Sequence, residues 1–171
     1  MDPFAAIGRP HDRDLSGAEL QLYVGELARC GELWRPLVSH DTTKRHYEEL
    51  VSDAHLTAWL ICWMDEHDTG FHDHDGSAGA VAVVSGRIRE QRLVLGGPPR
   101  DRTFSQGETF HFSPADIHRI NHFGIDPAVT LHVYSPPLRR MGAYFVDEEG
   151  VLARRPMTAD EELRPLNTAN A

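Results

Sequence analysis

From His55 onward the chain is a succession of short β-branched or aromatic runs: LTAWLICWM at 56–64, AVAVVSG at 80–86, IREQRLVL at 88–95, TFHF at 109–112, DIHRIN at 116–121, VTLHVYS at 129–135 and AYFVD at 143–147. Gly70, Gly76, Gly86, Gly96-Gly97-Pro98-Pro99, Gly107, Pro114, Gly124 and Pro136-Pro137 punctuate them. Each run has the length and composition of a strand, each boundary carries turn residues, and no helical pattern intervenes. Parallel βαβ units are thereby excluded. The expectation is a mainly β domain, an antiparallel sandwich or barrel.

The N-terminal part reads differently. Ser16 with Glu19 has capping-box spacing, and Leu20, Tyr23, Val24 and Leu27 recur at helical intervals until Gly31. A second, shorter helix is expected over 35–51, with Pro36 near its start. The expected organisation is a flexible arm over 1–15, a helical region over 16–54 that packs on the barrel, a barrel over 55–155 and a polar tail over 156–171. At 171 residues the chain has the length of a single domain.

Composition removes several functions. Seventeen basic residues against 26 acidic ones leave a net charge of −9, the opposite of a phosphate-binding surface, so no nucleic-acid partner is expected. The longest apolar stretch, Leu56–Met64, is far short of a membrane span, and the N-terminus lacks a basic segment followed by an apolar one. Cys30 and Cys62 read as reduced thiols. The expectation is a cytoplasmic protein, a monomer or small homo-oligomer, with no membrane partner.

The chain carries eleven histidines. His72 and His74 stand at i and i+2, so on an extended strand both rings project from one face. His118 lies in the alternating run Ile117-His118-Arg119-Ile120. Three imidazoles brought together suit Fe, Zn, Cu or Ni. An isolated H-x-H is as readily a surface pair; its context argues otherwise. His72-x-His74 with Gly79 and Gly86 resembles the first motif of the cupin superfamily, with glycine in place of its usual glutamate. Gly107, Pro114 and His118 approximate the second motif. The resemblance implies a cupin barrel (a double-stranded β-helix, or jelly roll) with three neutral protein ligands.

A second pattern lies at 129–134, where Thr130, His132 and Tyr134 alternate with Val129, Leu131 and Val133. The polar face either meets water or turns into the barrel, where hydroxyl, imidazole and phenol would form a hydrogen-bonded chain. Together, ICW at 61–63, HDH at 72–74, DIHRI at 116–120 and VTLHVYSPP at 129–137 resemble the cysteine dioxygenase, or thiol dioxygenase, family. The resemblance spans roughly residues 45–150. It implies an iron(II) enzyme that adds both atoms of O2 to a small thiol, giving a sulfinic acid. His72, His74 and His118 match the family's iron ligands, and Thr130, His132 and Tyr134 match its Ser-His-Tyr triad.

Two departures stand out. Gly79 occupies the place of the cysteine that animal enzymes cross-link to the tyrosine, so that link cannot form. Tyr47-Glu48-Glu49-Leu50-Val51 resembles the family's Tyr-x-Arg-Asn-Leu, which sets Glu49 where an arginine receives the cysteine carboxylate. Tyr47 and Glu49 are therefore candidate substrate-binding residues, as are Arg139 and Arg140, which either replace that arginine or are a solvated pair. Cysteine is the family's default substrate. An acid at 49 brings 3-mercaptopropionate, or a cationic thiol or thione such as ergothioneine, into consideration. Two other classes remain open on the residues alone: a zinc or nickel cupin hydrolase or isomerase, and a non-catalytic cupin that binds a small molecule.

Overall fold

A computed structural model describes Ile7 and residues 11–158. Helix α1 (Gly17–Arg29) begins at a capping box: Ser16 Oγ accepts from the Glu19 amide, and the Glu19 carboxylate accepts from the Ser16 amide. It buries Leu20, Val24 and Leu27. A single-turn helix α2 (Gly31–Trp34) and a 3-10 turn (Arg35–Leu37) follow.

The rest is β structure. The strands are β1 (His46–Ser52), β2 (Thr57–Trp63), β3 (His72–Asp73), β4 (Ala78–Ser85), β5 (Arg87–Arg92), β6 (Arg100–Ser105), β7 (Thr109–Phe112), β8 (His118–His122), β9 (Ala128–Ser135), β10 (Arg140–Val146) and β11 (Leu152–Thr158). They form a five-stranded sheet in the order β1-β2-β9-β4-β7 and a six-stranded sheet in the order β11-β10-β3-β8-β5-β6. All named strand pairs are antiparallel. This is the mainly β, double-stranded β-helix architecture expected.

The five-stranded sheet is buried on both sides, which is why β2 and β4 read as nearly continuous hydrophobic runs. Ala58, Leu60, Cys62, Ala80, Ala82, Leu131 and Val133 pack against Leu20, Val24 and Leu27 of α1. The opposite face turns Ile61, Trp63, Val81, Val83, Phe112 and Tyr134 into the barrel, where Ile88, Ile120 and Met141 of the other sheet meet them. Each fully buried leucine on the helix side stabilises the fold by about 1.5–3 kcal/mol. The polar residues of β9 thus face inward while its apolar ones seat the helix.

Three expectations are corrected. The second helix over 35–51 is replaced by the 3-10 turn and strand β1, because Tyr47–Ser52 pairs with β2 and closes that sheet's edge. Within the proposed flexible arm, residues 11–15 are tethered. His11 meets Asp53 through its backbone N–H and its ring, Asp14 meets His55, and the Leu15 amide donates to Ser135 Oγ. The tail cannot start at 156, since Pro156–Thr158 belong to β11 and pair with β10. Residues 1–6, 8–10 and 159–171 of the arm and tail lie outside the described residues. No helix among the described residues is long and apolar enough to cross a membrane.

Candidate metal centre

β3 is two residues long and lies between β8 and β10, with His72 directly opposite His118. His74 follows at the end of β3, where its carbonyl accepts from the Ser77 amide. The chain then turns through Asp75, a non-glycine residue with φ of 55°. One ring nitrogen from each of His72, His74 and His118 lies within 4.8 Å of the others, and all three residues are buried. The three predicted ligands converge.

Their hydrogen bonds define which nitrogen is available. His72 Nδ1–H donates to the Gly70 carbonyl at 3.0 Å. His118 Nδ1–H donates to Glu90 Oε1 at 2.8 Å. Each leaves Nε2 as the lone-pair donor. Burial pushes all three imidazoles below their ordinary pKa; mutual repulsion adds to this at His72 and His74, whereas the Glu90 bond opposes it at His118. All are neutral near pH 7, the form a metal requires. Among the described residues, His118 Nε2 and both nitrogens of His74 are buried with no hydrogen-bond partner. Orphaned buried nitrogens are costly, and a divalent cation would satisfy them. The residues fit a metal.

Sequence reasoning missed the carboxylate beside His118. Glu90 is fully buried beside His118 and receives Arg92 Nη2 at 2.9 Å and Arg102 Nη2 at 2.5 Å. Burial opposes its ionisation, yet the bonds from His118 and Arg92 bring its pKa down to about 2. Alternation with Ile88, which is buried on the same strand face, is the signal that places it inside. Asp73, between two candidate ligands, receives Tyr144 Oη at 2.7 Å and both Arg154 Nε and Nη2 at 2.7 and 2.8 Å. His122, of the same strand parity as His118, bonds instead to Asp126 O and Asp65.

The β9 chain is continuous: Trp63 Nε1–H donates to Thr130 Oγ1 at 2.8 Å, Thr130 Oγ1 meets His132 Nε2 at 2.8 Å, and His132 Nδ1 meets Tyr134 Oη at 3.2 Å. The indole can only donate, and a buried threonine hydroxyl needs an acceptor. Nε2 is the one in reach, so Thr130 donates to it and His132 Nδ1–H donates to the phenol oxygen. The Tyr134 proton is then directed away from His132. Burial, with repulsion from His118 and Arg45, lowers the His132 pKa to about 3 and keeps the ring neutral. Tyr134 lies beside His74, ring centroids 5.3 Å apart.

The four substrate-binding candidates do not form one cluster. Arg139 and Arg140 line a cleft of about 340 Å³ with His74, Asp75, Ser77 and Pro137. Both are exposed, and Arg140 Nε is 3.8 Å from Asp75 Oδ2. Tyr47 packs on Trp59 at 5.9 Å. Glu49 is opposite Trp59 in register, exposed, and outside that cleft's lining.

Comparison with known proteins agrees with this geometry. The profile of the family described as cysteine dioxygenase type I matches residues 26–147. A cysteine dioxygenase type 1 from Danio rerio is 26% identical over 107 residues, covering 56% of this chain and 53% of that protein. The chain therefore spans about half the length of the curated relatives it matches. Among solved structures, a Klebsiella pneumoniae protein with a double-stranded β-helix domain superposes with a TM-score of 0.53 at 14% identity, over 60% of this chain and 80% of the other. A cupin superfamily protein from Desulfitobacterium hafniense gives 0.51 at 11% identity, over 60% and 87%. These structural likenesses establish the cupin fold. With the family profile covering most of the barrel and its three-histidine cluster, the chain belongs to the cysteine dioxygenase type I family.

Proposed function

We propose that the protein is an iron(II)-dependent thiol dioxygenase, converting RSH and O2 to the sulfinic acid RSO2H. The observation that carries this reading is the pairing of three buried, neutral histidines with the inward-facing Thr130-His132-Tyr134 chain. His72, His74 and His118 would hold the ion through ring nitrogens. Iron(II), when bound, would activate O2 toward the sulfur, which itself gives up the four electrons that reduce O2, and would supply a positive charge that favours the thiolate form of the substrate.

This chain's own residues do the rest. His132, held as the Nδ1–H tautomer by Thr130 and Trp63, keeps the Tyr134 oxygen as an acceptor on one side. The phenol proton is thereby presented on the other, ready to hydrogen-bond an anionic oxygen or sulfur. The aromatic and aliphatic barrel wall excludes water. Arg139 and Arg140 at the cleft would attract the carboxylate of a small thiol such as cysteine or 3-mercaptopropionate. Glu49 and Tyr47 would favour a cationic thiol or thione such as ergothioneine only if the substrate reached toward β1.

The test is O2 consumption by iron-loaded protein with a panel of these thiols, together with product mass. The reading expects thiol-dependent uptake and a product heavier by both oxygen atoms. Uptake no greater than an iron-only blank for every thiol would defeat it. Arg139→Ala with Arg140→Ala separates the substrates: it raises KM for carboxylate thiols and leaves it unchanged for a thiol that reads Glu49.

A further inference from the structure

Two of the three histidines are oriented by hydrogen bonds, and the third is not. His72 is tied to the Gly70 carbonyl and His118 to Glu90, while neither ring nitrogen of His74 has a hydrogen-bond partner among the described residues. A ligand imidazole free to turn about χ2 would lose the pre-organisation that its neighbours have. His74 is nevertheless fully buried, so packing must supply what hydrogen bonding does not.

That packing comes from Phe112 on β7. Its ring stacks on His74 with centroids 4.4 Å apart and planes 25° from parallel, and it touches His118 at 4.5 Å. Phe112 is itself 1% exposed. The ring reaches this position across Gly79, which pairs with Phe112 on one side and with Tyr134 on the other. A Cβ at position 79 would lie 2.2 Å from Phe112 Cζ and 2.5 Å from Cε2, and 3.1 Å from Tyr134 Cδ1. Gly79 is not in the left-handed region, so backbone conformation does not require it. The space above it does. An aromatic ring laid over a cross-strand glycine is a known way of filling such a gap. Here the ring has histidines on its far side and cannot simply move away.

We propose that Phe112 is the positioning residue of His74, fixing the imidazole plane by stacking, and that Gly79 exists to admit its ring. This rests on the three-histidine metal reading but not on any particular substrate. Position 79 and position 112 therefore trade volume. Phe112→Leu removes the flat face yet remains apolar. Gly79→Ala leaves the phenylalanine in place and pushes its ring against His74.

The experiment is titration of metal-free protein with Co(II), reading dissociation constant and visible absorption, alongside the melting temperature of each metal-free variant. Phe112→Leu is expected to weaken Co(II) binding about ten-fold or more and to shift the cobalt spectrum. Gly79→Ala is expected to do the same, although no atom of residue 79 is a ligand. In the Phe112→Leu background, Gly79→Ala should add little, because the ring it displaces is gone. A Phe112→Leu protein that melts lower but binds Co(II) with wild-type affinity and spectrum would overturn the proposal, leaving Phe112 as core packing only. So would additive losses in the double variant. Should Phe112→Leu not fold, a Gly79→Ala protein with unchanged affinity and spectrum overturns it equally. Wild-type cobalt binding without thiol-dependent O2 uptake would instead count against the dioxygenase reading alone.

Discussion

At His118 a fully buried carboxylate is committed to a single ring nitrogen. Glu90 holds Nδ1–H at 2.8 Å, and Arg92 and Arg102 occupy its remaining lone pairs. The imidazole gains basicity and a fixed plane, so the three neutral imidazoles are backed by a buried negative charge one bond away. Glu90→Ala should weaken metal binding about 10–100-fold, with Glu90→Gln falling between it and the parent. Competition with a chelator measures both, and equal affinity for all three proteins would contradict the assignment. The convergence of His72, His74 and His118 was legible because H-x-H on a strand permits few geometries and His118 sits in an alternating run. Glu90 was not, since among Arg87, Arg89 and Arg92 a glutamate resembles any solvated strand charge. Only its parity with Ile88 betrays that it faces inward. Trp63 was equally hidden: its place in the apolar run 56–64 announces core, while its indole N–H sets the direction of the β9 chain.

A strand of two residues cannot hold His72 and the adjoining His74 by its own ladder, and β3 does not. The C-terminal hairpin fastens it. Arg154 on β11 crosses β10 at Gly142 to reach Asp73; a Cβ at 142 would meet Arg154 Nε at 2.1 Å. Burial opposes the charge on Asp73, but Arg154 and Tyr144 hold its carboxyl well below the usual range. Arg154→Ala removes both guanidinium bonds and should cost about 1–3 kcal/mol in the metal-free protein, read as a lower denaturant midpoint. Metal affinity should fall with it, because the ligand strand loosens. A variant with the parent's midpoint would show that the clamp is dispensable. Element type was readable where local signals suffice: α1 has its cap and its apolar stripe, and the barrel strands have their turns. β1 and the end of β11 were misread because both are edge segments whose strand identity comes from a distant partner, β2 or β10, rather than from their own pattern.

At the scale of the whole molecule the barrel interior is built around groups that resist protonation. His72, His74 and His132 have pKa values pushed below the ordinary 6.5, chiefly by burial. In the unfolded chain they take up protons as pH drops through 6.5; in the folded chain they do not until far lower, at about 3 for His132. The His132 contribution is therefore complete above pH 6.5 and is lost as pH falls from there toward 3, and those of His72 and His74 are lost in the same direction. Each adds a slope of at most about 1.4 kcal/mol per pH unit within its window. Glu90 extends the loss from 4.5 down to about 2. Denaturant midpoints of the metal-free protein should fall steadily on acidification below 6.5 and stay nearly flat just above it. A midpoint that rises on acidification would contradict the burial of neutral imidazoles.

The division of labour between the sheet's two faces carries the functional account. One face of β9 seats α1, and the other presents the Thr130-His132-Tyr134 chain to three histidines. The most direct test supplies the iron-loaded protein with a small thiol under isotopically labelled O2 and weighs the product. Dioxygenation predicts a sulfinic acid carrying both labelled oxygen atoms. A product with one labelled atom or none, or a disulfide alone, would contradict it.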